Sequence, residues 1–239
     1  MMGFNSDTYY PISKERIILY DKDRRQSSPV NGRTMPKLEQ LSIGEARKFQ
    51  LSILSVDIVD FTKLVMSYNH KEMESLRRIQ SNYLTEMTYI INDHDGVTEK
   101  YTGDGILGMF GTESSDDLKT AVQNSIDCAC TIKAVFKNVL NPYLEKENLS
   151  TLNYRIGIDC GPVIIERVGM KGNNQLSLSG PSVNLAAKLS KLADSNSILI
   201  GRDIYNILLD GEKKYCRTVE KKWDYGYPYY NYTATWSGQ

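Results

Sequence analysis

Apolar positions in the first half of the chain alternate between short strand-like runs and longer stretches with helical spacing. Leu51–Val56 is a short apolar run that predicts a strand. A long helix that stops at Asp95-Gly96 is predicted next, because its apolar residues recur every three or four positions. Those residues are Leu76, Ile79, Tyr83, Met87 and Ile90. The runs Val97–Tyr101 and Ile106–Phe110 then predict a hairpin around Thr102–Gly105.

A second long helix opens the next part of the pattern. Its start is predicted at Ser114–Asp117, where small polar and acidic residues suit a helix N-terminus. One apolar stripe follows at Leu118, Val122, Ile126, Ala129, Ile132, Phe136 and Val139. The strand Tyr154–Cys160 is then predicted to pair with Val163–Val168 across Gly161-Pro162.

Shorter elements are predicted for the last part of the chain. Gly180-Pro181 introduces a helix that runs through Leu192. A strand at Ser197–Ile200 and a short helix at Arg202–Leu209 follow. From Tyr215 onward the sequence is rich in Tyr and Trp, which predicts one or two late strands.

The order of these elements predicts the fold. Strand, helix, strand, strand, helix, strand is the order of a ferredoxin-like, or split βαβ, α+β fold. We expect a mostly antiparallel sheet with helices covering one face. Residues 1–40 are polar and predict an irregular N-terminal arm, whereas residues 41–239 form one domain with a strand-rich C-terminal tail. The arm residues that are candidates for packing on the domain or on a partner are Tyr9, Tyr10, Ile17, Ile18, Leu19 and Tyr20.

Composition narrows the class of protein. A chain of 239 residues can bury one substantial core. Lys+Arg and Asp+Glu balance at 29 each, so no bulk charge draws it to nucleic acid or to an anionic membrane. No run approaches the roughly 20 apolar residues of a spanning helix, and no secretion signal is recognisable, so we expect a cytoplasmic protein. The four cysteines lack zinc-finger spacing and are expected to be buried thiols.

Two aspartates are the first candidates for chemistry. Asp57 ends an otherwise apolar strand, and Asp104 lies between two glycines in the predicted hairpin. A strand end and a hairpin turn can bring two carboxylates together on a divalent cation, which prefers oxygen ligands. Taken alone, the two residues are more typical of a strand cap and of a hairpin turn than of a metal site.

Three further polar residues strengthen the metal interpretation. Asn184 and Lys188 are four residues apart on a predicted helix and therefore share a face, where an amide and a cation can meet a nucleotide. Arg155 begins a strand, and its guanidinium suits phosphate oxygens. Elsewhere such residues commonly belong to solvated surfaces or to surface ion pairs.

Four motifs, in this order, resemble those of the class III nucleotidyl cyclases. They are Asp57–Thr62, Lys100–Gly105, Arg155–Gly161 and Gly180–Leu189. The resemblance extends from about Leu51 to Ile200, and the match of all four in order is specific where each one alone would be weak.

The resemblance implies a site and a reaction. Asp57 and Asp104, with the Ile58 carbonyl, would hold two Mn²⁺ or Mg²⁺ ions. Arg155 would bind the polyphosphate. Asn184 would orient the ribose, and Lys188 would stabilise charge on the α-phosphate. The family builds each site from two protomers, so a homodimer with sites at its interface is implied.

Three positions depart from the usual family pattern. Lys188 stands where arginine is usual; it keeps the charge but lacks the planar fork of a guanidinium. Asp60 stands where glycine is common, and Thr102 stands where a bulky aliphatic residue is usual.

The choice of base is expected to depend on residues of the second protomer. Lys100 matches the adenine-reading lysine of the family, and Ser177 occupies the second base-reading position. The guanine-reading glutamate is absent at position 100, which disfavours GTP and leaves ATP open. A lysine can equally donate to a pyrimidine carbonyl. Phe61 and Tyr101 are candidates for shortening the pocket to fit a pyrimidine.

A narrower resemblance favours a pyrimidine substrate. Ser42–Leu54, Thr85–Met87 and Glu99–Gly105 are similar to segments of the bacterial pyrimidine cyclases of Pycsar anti-phage systems. Those enzymes make cyclic UMP or cyclic CMP as a second messenger that a separate effector binds. The sequence is therefore interpreted as a homodimeric pyrimidine nucleotide cyclase acting on UTP or CTP, with uridylate favoured over cytidylate.

Two alternatives remain open at this point. One is an adenylate cyclase, and the other is a catalytically silent module that binds nucleotide and regulates a partner. A metal phosphatase with a nucleophilic aspartate is disfavoured, because Asp57 and Asp60 are three residues apart instead of two.

Overall fold

The chain folds around one mixed sheet with helices on both faces. The structure is a computed structural model and describes residues 6–26, 46–112, 118–219 and 226–235. The predicted helix start at 114–117 lies outside these ranges. The strands are β1 (Ala46–Ile58), β2 (Val97–Thr102), β3 (Gly105–Thr112), β4 (Tyr154–Met170), β5 (Asn173–Ser179), β6 (Ser197–Gly201), β7 (Cys216–Thr218) and β8 (Tyr229–Tyr232). The helices are α1 (Ser6–Gln26), α2 (Phe61–Ser67), α3 (Met73–Asp93), α4 (Leu118–Val135), α5 (Asn141–Lys146), α6 (Pro181–Leu192), α7 (Arg202–Ile207) and α8 (Asp210–Lys213). A 3₁₀ turn, His70–Glu72, precedes α3, and a π-helical turn, Phe136–Leu140, joins α4 to α5.

The sheet confirms the predicted α+β class and the predicted order of its core. Its strands follow the order β2-β3-β1-β4-β6-β8-β7, and β5 pairs with the distal half of β4. Every pairing between the described strands is antiparallel except the parallel pairing of β4 with β6. The late strands β7 and β8 confirm the strand-rich tail.

Helices cover both faces of the sheet, whereas one covered face was predicted. Leu54 and Val56 of β1 point into the main core with α3 and α4. Leu51 and Ile53 point to the opposite face, where they pack against Ala186 of α6. Since neighbouring residues of a strand face opposite ways, both faces of β1 are apolar and both need a cover.

The predicted hairpin across Gly161-Pro162 is wrong, because β4 runs straight through this dipeptide. β6 pairs with Arg155–Ile158 and β5 with Ile164–Met170, so the proline falls in the gap between these two neighbours. A missing N–H is tolerated in a strand at such an unpaired edge. The chain reverses ten residues later, at Gly172, which has a φ of 86°.

The predicted irregular arm is wrong for residues 6–26, which form α1. Ile17 is buried in the main core, and Tyr9 and Tyr10 pack against it, as anticipated for the apolar residues of this segment. Ile18 and Leu19 are exposed. The side chain of Tyr20 lies outside the described part of the chain.

Polar contacts hold α1 against α3. The Ser13 hydroxyl donates to the buried Glu86 carboxylate at 2.5 Å. The Arg16 guanidinium donates to Asp93 at 2.8 Å. Burial raises the pKa of Glu86 to about 7. The helix therefore docks through buried polar groups as well as through apolar packing.

The prediction of buried thiols is confirmed for three of the four cysteines, whereas Cys216 is half-buried. All four cysteines are free, and Cys128, Cys130 and Cys160 are buried. Burial raises the pKa of each of these thiols, so they remain protonated. No helix in the described ranges is long and apolar enough to cross a membrane.

Candidate active site

An aspartate and an arginine meet where β1 ends. Asp57 lies directly opposite Arg155 in the β1–β4 ladder. The Arg155 Nη2 atom donates to the Asp57 Oδ2 atom at 2.8 Å, and both side chains are partly buried. The strand pairing thus places a metal candidate and a phosphate candidate in direct contact. Ile58, whose carbonyl was proposed as a further ligand, is the last residue of β1.

A two-residue turn carries the second aspartate. Thr102 pairs with Gly105, which leaves Gly103 and Asp104 as the central residues of the hairpin. Gly103 has a φ of 75°, a conformation that suits glycine at the first central position of a type II′ turn. The Gln80 side-chain amide of α3 donates to the Gly103 carbonyl at 2.8 Å.

The two predicted metal ligands lie together. Burial raises the pKa of Asp104, and the charge of Asp57 and a hydrogen bond between the two carboxyl groups raise it further. Two carboxylates that are close enough to share a hydrogen bond repel each other when both are ionised. A divalent cation between them would remove that repulsion, so the pair fits a metal site.

The donor set also fits the kind of metal that was predicted. Within the described ranges, no group of three or more His, Cys, Asp or Glu side chains gathers at a site that could hold a metal. Asp57 and Asp104 therefore act as a pair, and Mg²⁺ sites commonly combine one or two carboxylates with substrate phosphates. The Arg155 Nε atom is buried without a hydrogen-bond partner among the described residues, so it has a donor left for such a phosphate.

Tyr83 belongs to this site, although its place in an apolar stripe predicts only a core residue. Its ring packs edge-on against Phe136, with centroids 5.9 Å apart. Its buried hydroxyl has no hydrogen-bond partner in the part of the chain that the structure describes. Burial raises the pKa of Tyr83, and the charges of Asp57 and Asp104 raise it further. No signal in the sequence distinguishes this tyrosine from its apolar neighbours.

The backbone explains why glycine is common at the position of Asp60. Asp60 has φ 56° and ψ 27°, in the left-handed region that glycine, asparagine and aspartate tolerate best. Its side chain accepts a hydrogen bond from Lys63 at 2.9 Å on the surface. Asp60 therefore keeps the turn after β1 without joining the carboxylate pair.

Asn184 and Lys188 share the exposed face of α6, as their spacing predicts. The opposite face of the helix is buried and includes Ser182 and Ala186. Gly157 of β4 allows a close approach, because a Cβ atom there would lie 2.2 Å from the Ala186 carbonyl oxygen. The two polar side chains therefore lie on the side of α6 that faces away from the sheet of their own chain.

The base-reading candidates lie at different ends of the sheet. Ser177 pairs with Glu166, which pairs with Ala46 at the start of β1. Asp57 is eleven residues further along β1 (57 − 46), which is roughly 36 Å in an extended strand. Ser177 is therefore far from the carboxylate pair of its own chain.

Lys100 and Phe61 lie closer to the carboxylate pair. Lys100 is on β2, opposite Leu107, on the hairpin that carries Asp104; its side chain lies outside the described part, as does that of Tyr101. Phe61 begins α2 and is half-buried against the main core. The structure thus brings Asp57, Asp104 and Arg155 together in one chain, places Ser177 near the opposite end of β1, and puts Asn184 and Lys188 on the exposed face of α6.

Sequence comparison relates the chain to known nucleotidyl cyclases. A sequence profile of the adenylate and guanylate cyclase catalytic domain matches residues 44–224. A cytidylate cyclase from Staphylococcus aureus is 30% identical over 216 residues, which are 87% of this chain and 48% of that protein. A uridylate cyclase from Burkholderia cepacia is 27% identical over 209 residues, which are 85% of this chain and 87% of that protein. The chain thus spans about half the length of the first relative and most of the second.

Solved structures agree on the fold. The crystal structure of the adenylyl cyclase CyaB from P. aeruginosa superposes with a TM-score of 0.70 at 23% sequence identity. The superposition covers 80% of this chain and 97% of that one. Since the profile match spans most of the chain, including β1, the β2–β3 hairpin and α6, the chain belongs to the family of adenylate and guanylate cyclase catalytic domains, the class III nucleotidyl cyclases.

Proposed function

We propose that the chain is a pyrimidine nucleotide cyclase that converts UTP, or CTP, into the 3′,5′-cyclic monophosphate and pyrophosphate. The observation that carries this proposal is the contact of Asp57, Asp104 and Arg155 at the end of β1, in a chain of a nucleotidyl cyclase family. Relatives named cytidylate cyclase and uridylate cyclase support a pyrimidine base. UTP is placed first because a uridylate cyclase, from Burkholderia cepacia, aligns over 87% of its own length.

Asp57, Asp104 and the Ile58 carbonyl would hold two divalent cations, Mn²⁺ or Mg²⁺. When bound, such ions acidify the ribose 3′-hydroxyl and neutralise charge on the triphosphate. Arg155 is already oriented by Asp57, so its remaining donors meet the polyphosphate in a fixed direction. The partly buried setting of this pair strengthens each of these contacts relative to water.

The bond changes are those of an intramolecular displacement. The 3′-oxygen forms a bond to the α-phosphorus as its proton passes to solvent water, and the bond from the α-phosphorus to the bridging oxygen breaks to release pyrophosphate. Lys188 would stabilise the charge that develops on the α-phosphate. Asn184 would hold the ribose so that the 3′-oxygen lies in line with the leaving group.

The site needs a second copy of the chain. Asn184 and Lys188 point away from the sheet that holds Asp57, and Ser177 lies at the far end of β1. We therefore propose a homodimer in which one protomer supplies the carboxylates and its partner supplies Asn184, Lys188 and Ser177. The family resemblance assigns the base-reading Lys100 to the partner as well, although Lys100 also lies on the hairpin that carries Asp104 of its own chain. The cyclic product would serve as a second messenger in anti-phage defence, read by a separate effector.

The carboxylate pair is tested by Asp57→Asn and Asp104→Asn, assayed with UTP and with CTP in the presence of Mn²⁺. Each substitution is expected to abolish cyclic product while leaving the circular dichroism spectrum and the elution volume unchanged. Asp60→Asn is the matched control, because asparagine also tolerates the left-handed backbone at that position. Retained activity in either pair variant would contradict the proposed metal site.

The shared site is tested by mixing two inactive variants. Asp57→Asn and Lys188→Met each disable both sites of a homodimer, but a heterodimer of the two keeps one site intact. Random subunit exchange then restores about a quarter of the wild-type activity, since half the dimers are mixed and each has one working site. A mixture that stays inactive after exchange would show that both residues serve the site of the same chain.

A further inference from the structure

Helix α3 lies behind the hairpin that carries Asp104. Gln80 lies in the first half of the helix, and its side-chain amide donates to the Gly103 carbonyl at 2.8 Å. A Cβ atom on Gly103 would have no neighbour within 4 Å, so the tip of the hairpin is loosely packed there. The hydrogen bond from Gln80, although exposed to solvent, ties the tip of the turn to α3.

The part of α3 that follows Gln80 is buried in the main core. Tyr83 is three residues after Gln80, so the two side chains are neighbours on the helix surface. Its ring is fully buried against Phe136, which itself packs on Tyr154 at 4.8 Å between centroids. Gln80 thus donates from a helix whose next turn is locked into the core.

We propose that Gln80 is a positioning residue that holds the Gly103-Asp104 turn in the geometry that binds the metal. The role rests on the proposed function, because it assumes that Asp104 is a metal ligand. Without a cation, ionisation of both Asp57 and Asp104 would create a repulsion that favours movement of the turn away from β1. The amide of Gln80 opposes that movement from the helix side, so the turn does not have to be reordered when a cation binds.

Gln80→Met tests the role, because methionine has a similar length, no charge and a comparable helix propensity, but no donor. The matched control is Gln123→Met on α4, where the glutamine donates to Asp127 in its own helix. Mn²⁺ affinity is measured without nucleotide by the paramagnetic resonance signal of free Mn²⁺. Hydrogen exchange of the amides of residues 103–105 is followed in the same samples.

Gln80→Met is expected to lower Mn²⁺ affinity about ten-fold and to speed exchange in the turn, as for other residues that orient a metal ligand from outside. At saturating Mn²⁺ the kcat should return to within about two-fold of the wild-type value, because Gln80 touches neither substrate nor metal. Gln123→Met should match the wild type in all three measurements.

Two outcomes would overturn the role and are distinguishable from each other. If Gln80→Met keeps the wild-type Mn²⁺ affinity and exchange rates in an active cyclase, the positioning role fails and the proposed function stands. If the wild type itself binds no Mn²⁺, the metal site and the positioning role fail together.

Discussion

Asp159 is a buried carboxylate in the middle of β4, and Asp159→Asn tests how the sheet tolerates it. The side chain is fully buried opposite Ile53, and it accepts hydrogen bonds from the Tyr227 hydroxyl at 3.0 and 3.1 Å. Gly201 approaches so closely that a Cβ atom there would lie 2.4 Å from the Asp159 Oδ1 atom. Asparagine fits the same space and can accept the same hydrogen bond without a charge.

The size of the expected change in stability follows from the protonation of Asp159. Burial raises the pKa of Asp159 from 3.8 to about 7, although hydrogen bonds from the Cys160 backbone and from Tyr227 lower it. Between these pH values the unfolded chain has released the proton and the folded chain still holds it. The free energy of unfolding of the wild type therefore falls as the pH rises through this window, by about 1.4 kcal/mol per pH unit.

Urea unfolding at pH 5, 6, 7 and 8 measures the effect. Because Asp159→Asn cannot ionise, its free energy of unfolding should rise relative to the wild type by about 2 kcal/mol between pH 5 and pH 7, at which point the folded wild type is half ionised. Glu86, whose pKa is also about 7, titrates in both proteins and cancels in the difference. Tyr227→Phe removes a donor that favours the ionised form, so it should extend the fall of stability to higher pH. A difference between Asp159→Asn and wild type that stays constant from pH 5 to pH 8 would refute this account.

Three further substitutions test the site and its support. Gly157→Ala should lower the free energy of unfolding, measured by urea unfolding, by about 3 kcal/mol, since its Cβ atom would overlap the Ala186 carbonyl. A loss below about 1 kcal/mol would mean that α6 can move away freely. Arg155→Met should raise the KM for UTP at least about ten-fold, because charge-assisted hydrogen bonds to the substrate are lost. It should also raise the affinity for Mn²⁺ without nucleotide, because Asp57 loses its cationic partner. Unchanged values in both assays would exclude the phosphate role. Lys188→Met should lower kcat about 100-fold, because the charge that develops on the α-phosphate loses its cation. The variant should unfold at the wild-type urea concentration, because the side chain is exposed. A normal kcat would exclude Lys188 from the reaction.

The carboxylate site could be predicted because local signals and topology agree there. A strand that ends at Asp57 and a hairpin whose turn carries Asp104 are both readable from apolar runs and glycines. Antiparallel pairing of β1 with β3 and with β4 then brings Asp104 and Arg155 to the same strand end. The spacing of Asn184 and Lys188 likewise predicted their shared face.

Elements that depend on distant partners could not be predicted. β5 has the sequence of a polar loop and becomes a strand only because it pairs, through backbone hydrogen bonds, with the distal half of β4. The Gly161-Pro162 dipeptide is typical of a turn, and only the gap between β5 and β6 lets it lie within a strand. α1 has no continuous apolar stripe, and it is held in place by buried polar contacts with α3 such as Ser13–Glu86.

Side-chain contacts between elements could not be predicted from the sequence either. Gln80 and Tyr83 have positions on a helix that the sequence defines well. Their contacts with the hairpin follow from how α3 lies against it, and a single sequence does not encode that angle in any local pattern.

The central claim is that this chain cyclises a pyrimidine nucleotide, and one competition assay tests it most directly. The purified protein is incubated with Mn²⁺ and an equimolar mixture of ATP, GTP, CTP and UTP, and the cyclic products are resolved by chromatography and mass. We predict cyclic UMP as the main product, with cyclic CMP as the second, and no cyclic product from Asp104→Asn. Cyclic AMP or cyclic GMP as the main product would contradict the pyrimidine assignment, and the absence of any cyclic product from the wild type would contradict catalysis altogether.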